Sequence, residues 1–159
     1  MKRAALITLA VACAATPAVG QTLKPLAEAR LRWEHVDQGG LPDAADAVTV
    51  RLRTGLSLEA GRWSALAEAQ GNLAIVGDYF DGVHPDARRP LIGDPQSIGL
   101  YRAQVQYRAP GITLTGGRQR LILEDERFVG AAAIRNNGQS FDAVRAEVAP
   151  IKGVKADIT

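Results

Sequence analysis

From residue 26 onward, apolar and polar side chains alternate with period two. Ala27, Ala29, Leu31 and Trp33 share one parity, and Glu28, Arg30, Arg32 and Glu34 share the other, so an extended chain here carries one apolar and one ionic face. The pattern stops over residues 37–46, where Gly39, Gly40 and Pro42 predict a loop. It resumes with Val48, Val50, Leu52, Leu56 and Leu58 opposite Thr49, Arg51, Arg53, Ser57 and Glu59. A tight turn over 59–62 leads to a third strand, with Trp63, Ala65, Ala67 and Ala69 against Ser64, Glu68, Gln70 and Asn72; Leu66 breaks the polar side. Residues 75–97 read as a long connection. A fourth strand over 98–108 sets Leu100, Tyr101, Ala103, Val105 and Tyr107 against Arg102, Gln104, Gln106 and Arg108.

Ala109-Pro110-Gly111 turns the chain into a fifth strand beginning at Ile112. Carried forward, its parity aims Arg118 and Arg120 at the apolar side, so the pattern predicts a β-bulge at Gly116-Gly117 that returns both to the polar face. Another long connection covers 123–139. A sixth strand alternates Val144, Ala146 and Val148 with Arg145 and Glu147, residues 150–153 turn, and a seventh sets Val154, Ala156 and Ile158 against Lys155, Asp157 and Thr159.

A soluble sandwich also buries one face of each strand, but three further features favour a membrane barrel. The connections run strictly long, short, long, short, as the external loops and periplasmic turns of outer-membrane barrels do. The better-defined strands run for about ten residues, the roughly 9–11 that a tilted strand needs to cross a bilayer. On the apolar parity, Trp33 and Tyr101 fall at the external strand ends and Trp63 and Tyr107 at the periplasmic ends, which predicts two aromatic girdles. Phe141 sits on the polar parity and joins neither. The expected fold is therefore all-β, an antiparallel up-and-down transmembrane β-barrel.

The N-terminus changes the compartment. Lys2-Arg3, an apolar run over 4–15 and Ala18-Val19-Gly20 have the layout of a signal peptide cut between Gly20 and Gln21. Cys13, the only cysteine, leaves with it and takes any disulfide framework along; its acylation as a lipoprotein signal is the weaker alternative, since Ala10-Val11-Ala12 fits that pattern poorly. Lys2 and Arg3 account for the whole formal charge of +2, so the chain from Gln21 onward is neutral. That balance excludes a nucleic-acid binder working by bulk charge.

Arginine dominates the remaining cations. Arg30, Arg32, Arg51, Arg53, Arg102, Arg118, Arg120 and Arg145 would line the interior of a barrel with Glu28, Glu34, Glu68, Glu147 and Asp157. A guanidinium fork grips a carboxylate through two donors and keeps its charge, which suits passage of an acidic solute. The alternative is that these arginines pair with the interior acids across strands. Both arrangements are compatible.

The run Gly116-Gly117-Arg118-Gln119-Arg120, the following Asp125-Glu126-Arg127-Phe128-Val129-Gly130 and the arginine-bearing strand at 26–33 together resemble the N-terminal part of bacterial alginate-export outer-membrane proteins. The resemblance covers essentially all of the chain after the leader. It implies a larger single-chain barrel whose arginine-lined pore lets an anionic polysaccharide leave the cell. The pore-lining role carries over to the arginines on the polar parity, and to Arg118 and Arg120 only if the bulge exists. Alginate itself does not follow, because related barrels could pass other acidic sugars or small anionic solutes. Seven strands are odd and below the bacterial minimum of eight, and no terminal aromatic closes the sequence, so the chain reads as a fragment with two open edges.

Other chemistry is set aside. His35 and His84 have no partner at metal-ligand spacing, Asp78 and Asp81 do not match a helix-loop-helix calcium site, and Glu124-Asp125-Glu126 has no companion nucleophile or acid. The sequence predicts no enzyme, no cofactor and no metal. Expected partners are the anionic solute, outer-membrane lipid and, for a full-length parent, the barrel-assembly machinery; nucleic acid is not among them. The competing reading is a soluble periplasmic β-sheet binding module.

Overall fold

The computed structural model of the chain describes residues 3–10, 20–122, 135–151 and 154–159. Cys13, most of the expected leader and the acidic-aromatic run at 124–130 lie outside them. Among the described residues there is no helix, only eight strands: β1 (Arg3–Ala10), β2 (Gln21–Val36), β3 (Ala45–Ala60), β4 (Trp63–Asp78), β5 (Ser97–Ala109), β6 (Ile112–Gln119), β7 (Phe141–Ile151) and β8 (Val154–Ile158). They form one open antiparallel sheet in sequential order. The seven strands read from the alternation are β2 to β8.

β1 is additional. Its backbone follows β2 from Arg3 opposite His35 to Ala10 opposite Glu28. The outer edge of β2 is a row of backbone donors and acceptors that needs partners, and the adjoining segment of chain supplies them.

β2, β3 and β4 each span 16 residues, longer than the pattern predicts. β4 continues to Asp78 and so takes in residues 75–78, expected to be loop. The register shift between Val48 and Thr49 pairs them with Val76 and Ala74 and leaves Ile75 as an extra residue on β4, so a single insertion hides the continuing alternation.

Two glycines let the sheet bend. A Cβ on Gly55 of β3 would stand 2.2 Å from the carbonyl oxygen of Ala67 on β4. One on Gly117 of β6, where φ is +113°, would stand 2.3 Å from that of Ala103 on β5. Neighbouring backbones approach too closely there for any side chain, as at the corners of curved sheets.

The bulge expected at Gly116-Gly117 is not there. The β5–β6 and β6–β7 ladders run without a register shift through both glycines. The shift in this part of the sheet lies instead in β5, where Glu68 pairs with Arg102 and Ala69 with Leu100, so that Tyr101 is the extra residue. This reverses the facing of one expected girdle residue. Tyr101 is 4% exposed and turned to the polar side, whereas Trp63 and Tyr107 pair on the apolar side with ring centroids 4.9 Å apart.

The two faces contrast sharply in burial. Among the described residues the buried apolar cluster is small: Ala45, Ala47, Tyr79 and Ile92, with Val36 and Ala74 packed against it. Leu52 (51%), Trp63 (57%), Val144 (75%) and Ile98 (90%) are open on the apolar face. The fully or nearly covered residues are mostly polar, with Arg51, Arg53, Glu68, Asn72 and Asp94 among them.

Candidate functional site

The site is built on the polar face of β2, β3 and β4. Register sets Glu28 opposite Arg53, Arg30 opposite Arg51 and Arg32 opposite Thr49, which stacks four guanidinium groups on neighbouring positions of two strands. Like charges directly across a ladder repel, and carboxylates interleave with them. Arg51 donates to Glu28, whose other oxygen lies 3.4 Å from Arg53. Arg53 donates through Nε to Oε1 of Gln70 at 2.7 Å. Its guanidinium also lies 3.9 Å over the Tyr101 ring, a cation–π contact that spans the intervening β4. Arg102 joins the edge of this group, donating to Glu68 at 2.7 Å.

Two loops close over the cluster. Residues 79–96, between β4 and β5, bring Asp94 onto Arg32, which also donates to Glu34. Residues 135–140, before β7, present the Arg135 carbonyl oxygen to both Arg30 and Arg51, each at 3.4 Å. The Asn136 side chain donates to Thr49 at 2.6 Å, and its backbone N–H donates to Asp94 at 3.0 Å. The Pro95 carbonyl accepts from Asn72 and Asn137 at 2.9 and 2.7 Å, which ties the loops to each other and to the sheet. Nε of Arg51, Oδ1 of Asn72 and Oδ1 of Asn136 are buried here without a hydrogen bond, an uncommon state for buried polar atoms.

Of the arginines selected from the sequence, Arg30, Arg32, Arg51, Arg53 and Arg102 therefore come together. Arg145 stays on the polar side but pairs with Asp157 and Glu147 at the β7–β8 edge. Arg118 does not join them: with no bulge it remains on the row of Leu114 and Gly116 and pairs with Asp142 through two hydrogen bonds, at 2.9 and 2.6 Å. Arg120 lies beyond the end of β6, with its Nε buried and without a hydrogen bond. Pairing with acids is thus the dominant arrangement, as the alternative reading of these arginines has it. Asp94 and Asn136 escape a periodicity argument because they sit in loops, 62 and 87 residues from their strand partners.

The histidines hold carboxylates rather than one another. His35 meets Asp46 at 2.8 Å. These two are register partners on the apolar parity, one step beyond the pair of Trp33 and Val48. In the 79–96 loop, hydrogen bonds from the His84 ring and from the backbone N–H groups of His84 and Val83 hold the Asp81 carboxyl down to about 2. A hydrogen bond from Arg88 lowers that of Asp43. Among the described residues, no group of His, Cys, Asp and Glu is placed to hold a metal ion.

Comparison with family models, curated proteins and solved structures found no match to this chain.

Proposed function

We propose that this chain is part of an outer-membrane β-barrel pore for anionic solutes, of the kind the alginate-export proteins represent. The observation that carries this reading is the inverted facing of the sheet: the polar side is sealed by the chain's own loops while the apolar side has no protein cover among the described residues. A sheet folding in water does the reverse, because burying aliphatic side chains is the main favourable term. Hydrocarbon reverses the preference.

The dimensions support the same reading. Trp33 pairs with Val48 and Trp63 with Ala60, which places the two tryptophans twelve residues apart along β3. At roughly 3.4 Å per residue that is about 40 Å of strand, and a tilt of about 40° reduces it to about 30 Å, near the thickness of the hydrocarbon core. On the intervening apolar positions of β3, from Val48 to Ala60, there is no charged residue, and the His35–Asp46 pair stands just outside the band. From β2 onward, the long connections, 37–44, 79–96 and 120–140, leave from one end of the sheet and the short turns from the other, as external loops and periplasmic turns do. A leader cut after Gly20 would deliver the chain to that membrane and would take β1 with it, leaving the β2 edge to another strand of a full-length parent, whose assembly would fall to the barrel-assembly machinery.

The arginine cluster is then the selective element: a guanidinium-rich wall favours entry of anions over cations and suits an acidic polysaccharide or small anionic solutes. Cell fractionation tests the reading. Extraction from outer membranes only with detergent, heat-modifiable migration and anion-selective conductance in planar bilayers are the expected results. Release by osmotic shock would instead identify a soluble periplasmic binding module.

A further inference from the structure

We infer that Asp94 is a tethered occupant of a carboxylate-binding site formed by the Arg32 guanidinium and the backbone N–H of Asn136, and that carboxylate solutes compete with it for that site. The inference rests on the pore reading above and names how its arginine cluster is regulated.

Asp94 belongs to an 18-residue connection, residues 79–96, yet its carboxyl is wholly covered. One oxygen takes a hydrogen bond from Arg32 and the other takes one from Asn136 N–H at 3.0 Å. Placing an ionised carboxylate out of water is costly unless its oxygens are satisfied, and these two donors satisfy one oxygen each. Arg32 does not need Asp94 for neutrality, because Glu34, on the same face of the same strand, already pairs with it. The second carboxylate comes from a loop and fills a position that the strands alone leave to an anion. In the same cluster the donor Nε of Arg51 remains without a hydrogen bond, and Oδ1 of Asn136, an acceptor, is open to a hydroxyl of a solute rather than to its carboxylate.

The donors come from β2 and from the segment before β7, and the occupant from the connection between β4 and β5. Exchange of Asp94 for a free carboxylate therefore replaces a contact that holds two loops over the arginines with one that does not. A short tether raises the effective concentration of its ligand to about millimolar or above, so a free carboxylate has to exceed that level before it displaces Asp94. Removing the internal competitor lowers this threshold.

The test is calorimetric binding of sodium gluconate to the detergent-purified chain, with sodium chloride as reference and circular dichroism to check that the sheet is retained. Asp94→Asn should bind gluconate at least about tenfold more tightly than the unaltered protein, consistent with loss of an intramolecular competitor. Asp86→Asn, in the same loop but bonded to Arg88 and Arg89 instead, should leave affinity unchanged. Arg32→Gln placed on Asp94→Asn should abolish the gain. Equal affinity of Asp94→Asn and the unaltered protein, or no gluconate binding by either, would overturn the inference. A gain in Asp94→Asn that loses the sheet signal is read from Asp94→Ser, which must reproduce the gain with the sheet intact. Absence of anion selectivity in the unaltered protein would count against the pore reading alone, since the affinity comparison does not depend on conductance.

Discussion

The two faces of this sheet are made from the same strands and obey opposite rules. On the inner face of β2 to β4, nearly every long polar side chain finds a partner across a strand or from a loop, and Thr49, Arg51, Asn72 and Asp94 are almost or wholly removed from solvent. On the outer face, Leu31, Leu52, Leu56, Leu73, Ile98 and Val105 lie side by side with nothing over them among the described residues. Alternation alone guarantees two unlike faces. It does not decide which one the protein covers, and here the loops seal the ionic one. On the proposed reading, hydrocarbon already solvates the apolar face.

The far side of the sheet sharpens the contrast. Through β5 the outer rows between the tryptophan levels carry no charge, whereas β6 and β7 place the Arg118–Asp142 pair on the row of Leu114 and Val144. On the proposed reading this pair would face lipid, where charges are tolerated when paired or close to the headgroups, and it sits at the loop end of β6.

The largest effect should come from the close approach of the β3 and β4 backbones at Gly55. Gly55→Val would drive a side chain into the β4 backbone, 2.2 Å from the Ala67 oxygen, and should abolish the folded sheet. Gly116→Ala, on the outer row with nothing within 4 Å, should be tolerated; far-ultraviolet circular dichroism and protease resistance distinguish the two. A charge on the outer face should cost less but still decide the question of solvent. Leu52→Arg should destabilise the membrane-inserted protein by about 2–4 kcal/mol in urea titrations from lipid vesicles. If that face met water, the same substitution should cost within about 0.5 kcal/mol.

A smaller loss is expected at the short-turn end. Trp63→Ala removes the tilted contact with Tyr107 and should cost about 0.5–1.5 kcal/mol beyond the lost area, more in vesicles than in detergent if the pair sits among headgroups. The smallest effect is a titration. Because the Asp81 carboxyl is held at about 2 in the folded loop, below its ordinary value, the stabilisation it supplies is present above the normal carboxylate range. It is lost as pH falls through about 2. Carbon-detected NMR should give that midpoint, and His84→Ala should move it upward.

Much of the fold is legible in the sequence because period-two alternation reports facing directly. Seven strands, their order of long and short connections, and the shared face of Arg30, Arg32, Arg51, Arg53 and Arg102 all follow from it. What it misses are single-residue events. The extra Tyr101 in β5 changes facing midway, and its one trace in the sequence is that Leu100 and Tyr101 are adjacent apolar residues before Arg102, which alternation alone does not assign to opposite faces. The pair of glycines at 116 and 117 resembles a bulge, but Gly117 serves close backbone approach while Gly116 faces open space, and Arg118 finds its carboxylate on the other face. The lids over the arginine cluster are also silent in the pattern. Asp94 and Asn136 are ordinary loop residues until the fold brings them to Arg32 and Thr49.

The medium against the outer face can be measured directly. Nitroxide labels introduced by Leu52→Cys and Val105→Cys, with the protein in its native membrane, should collide often with lipid-dissolved oxygen and rarely with a water-soluble nickel chelate. Labels immobilised against another protein layer and shielded from oxygen, or freely reached by the chelate, would contradict the account.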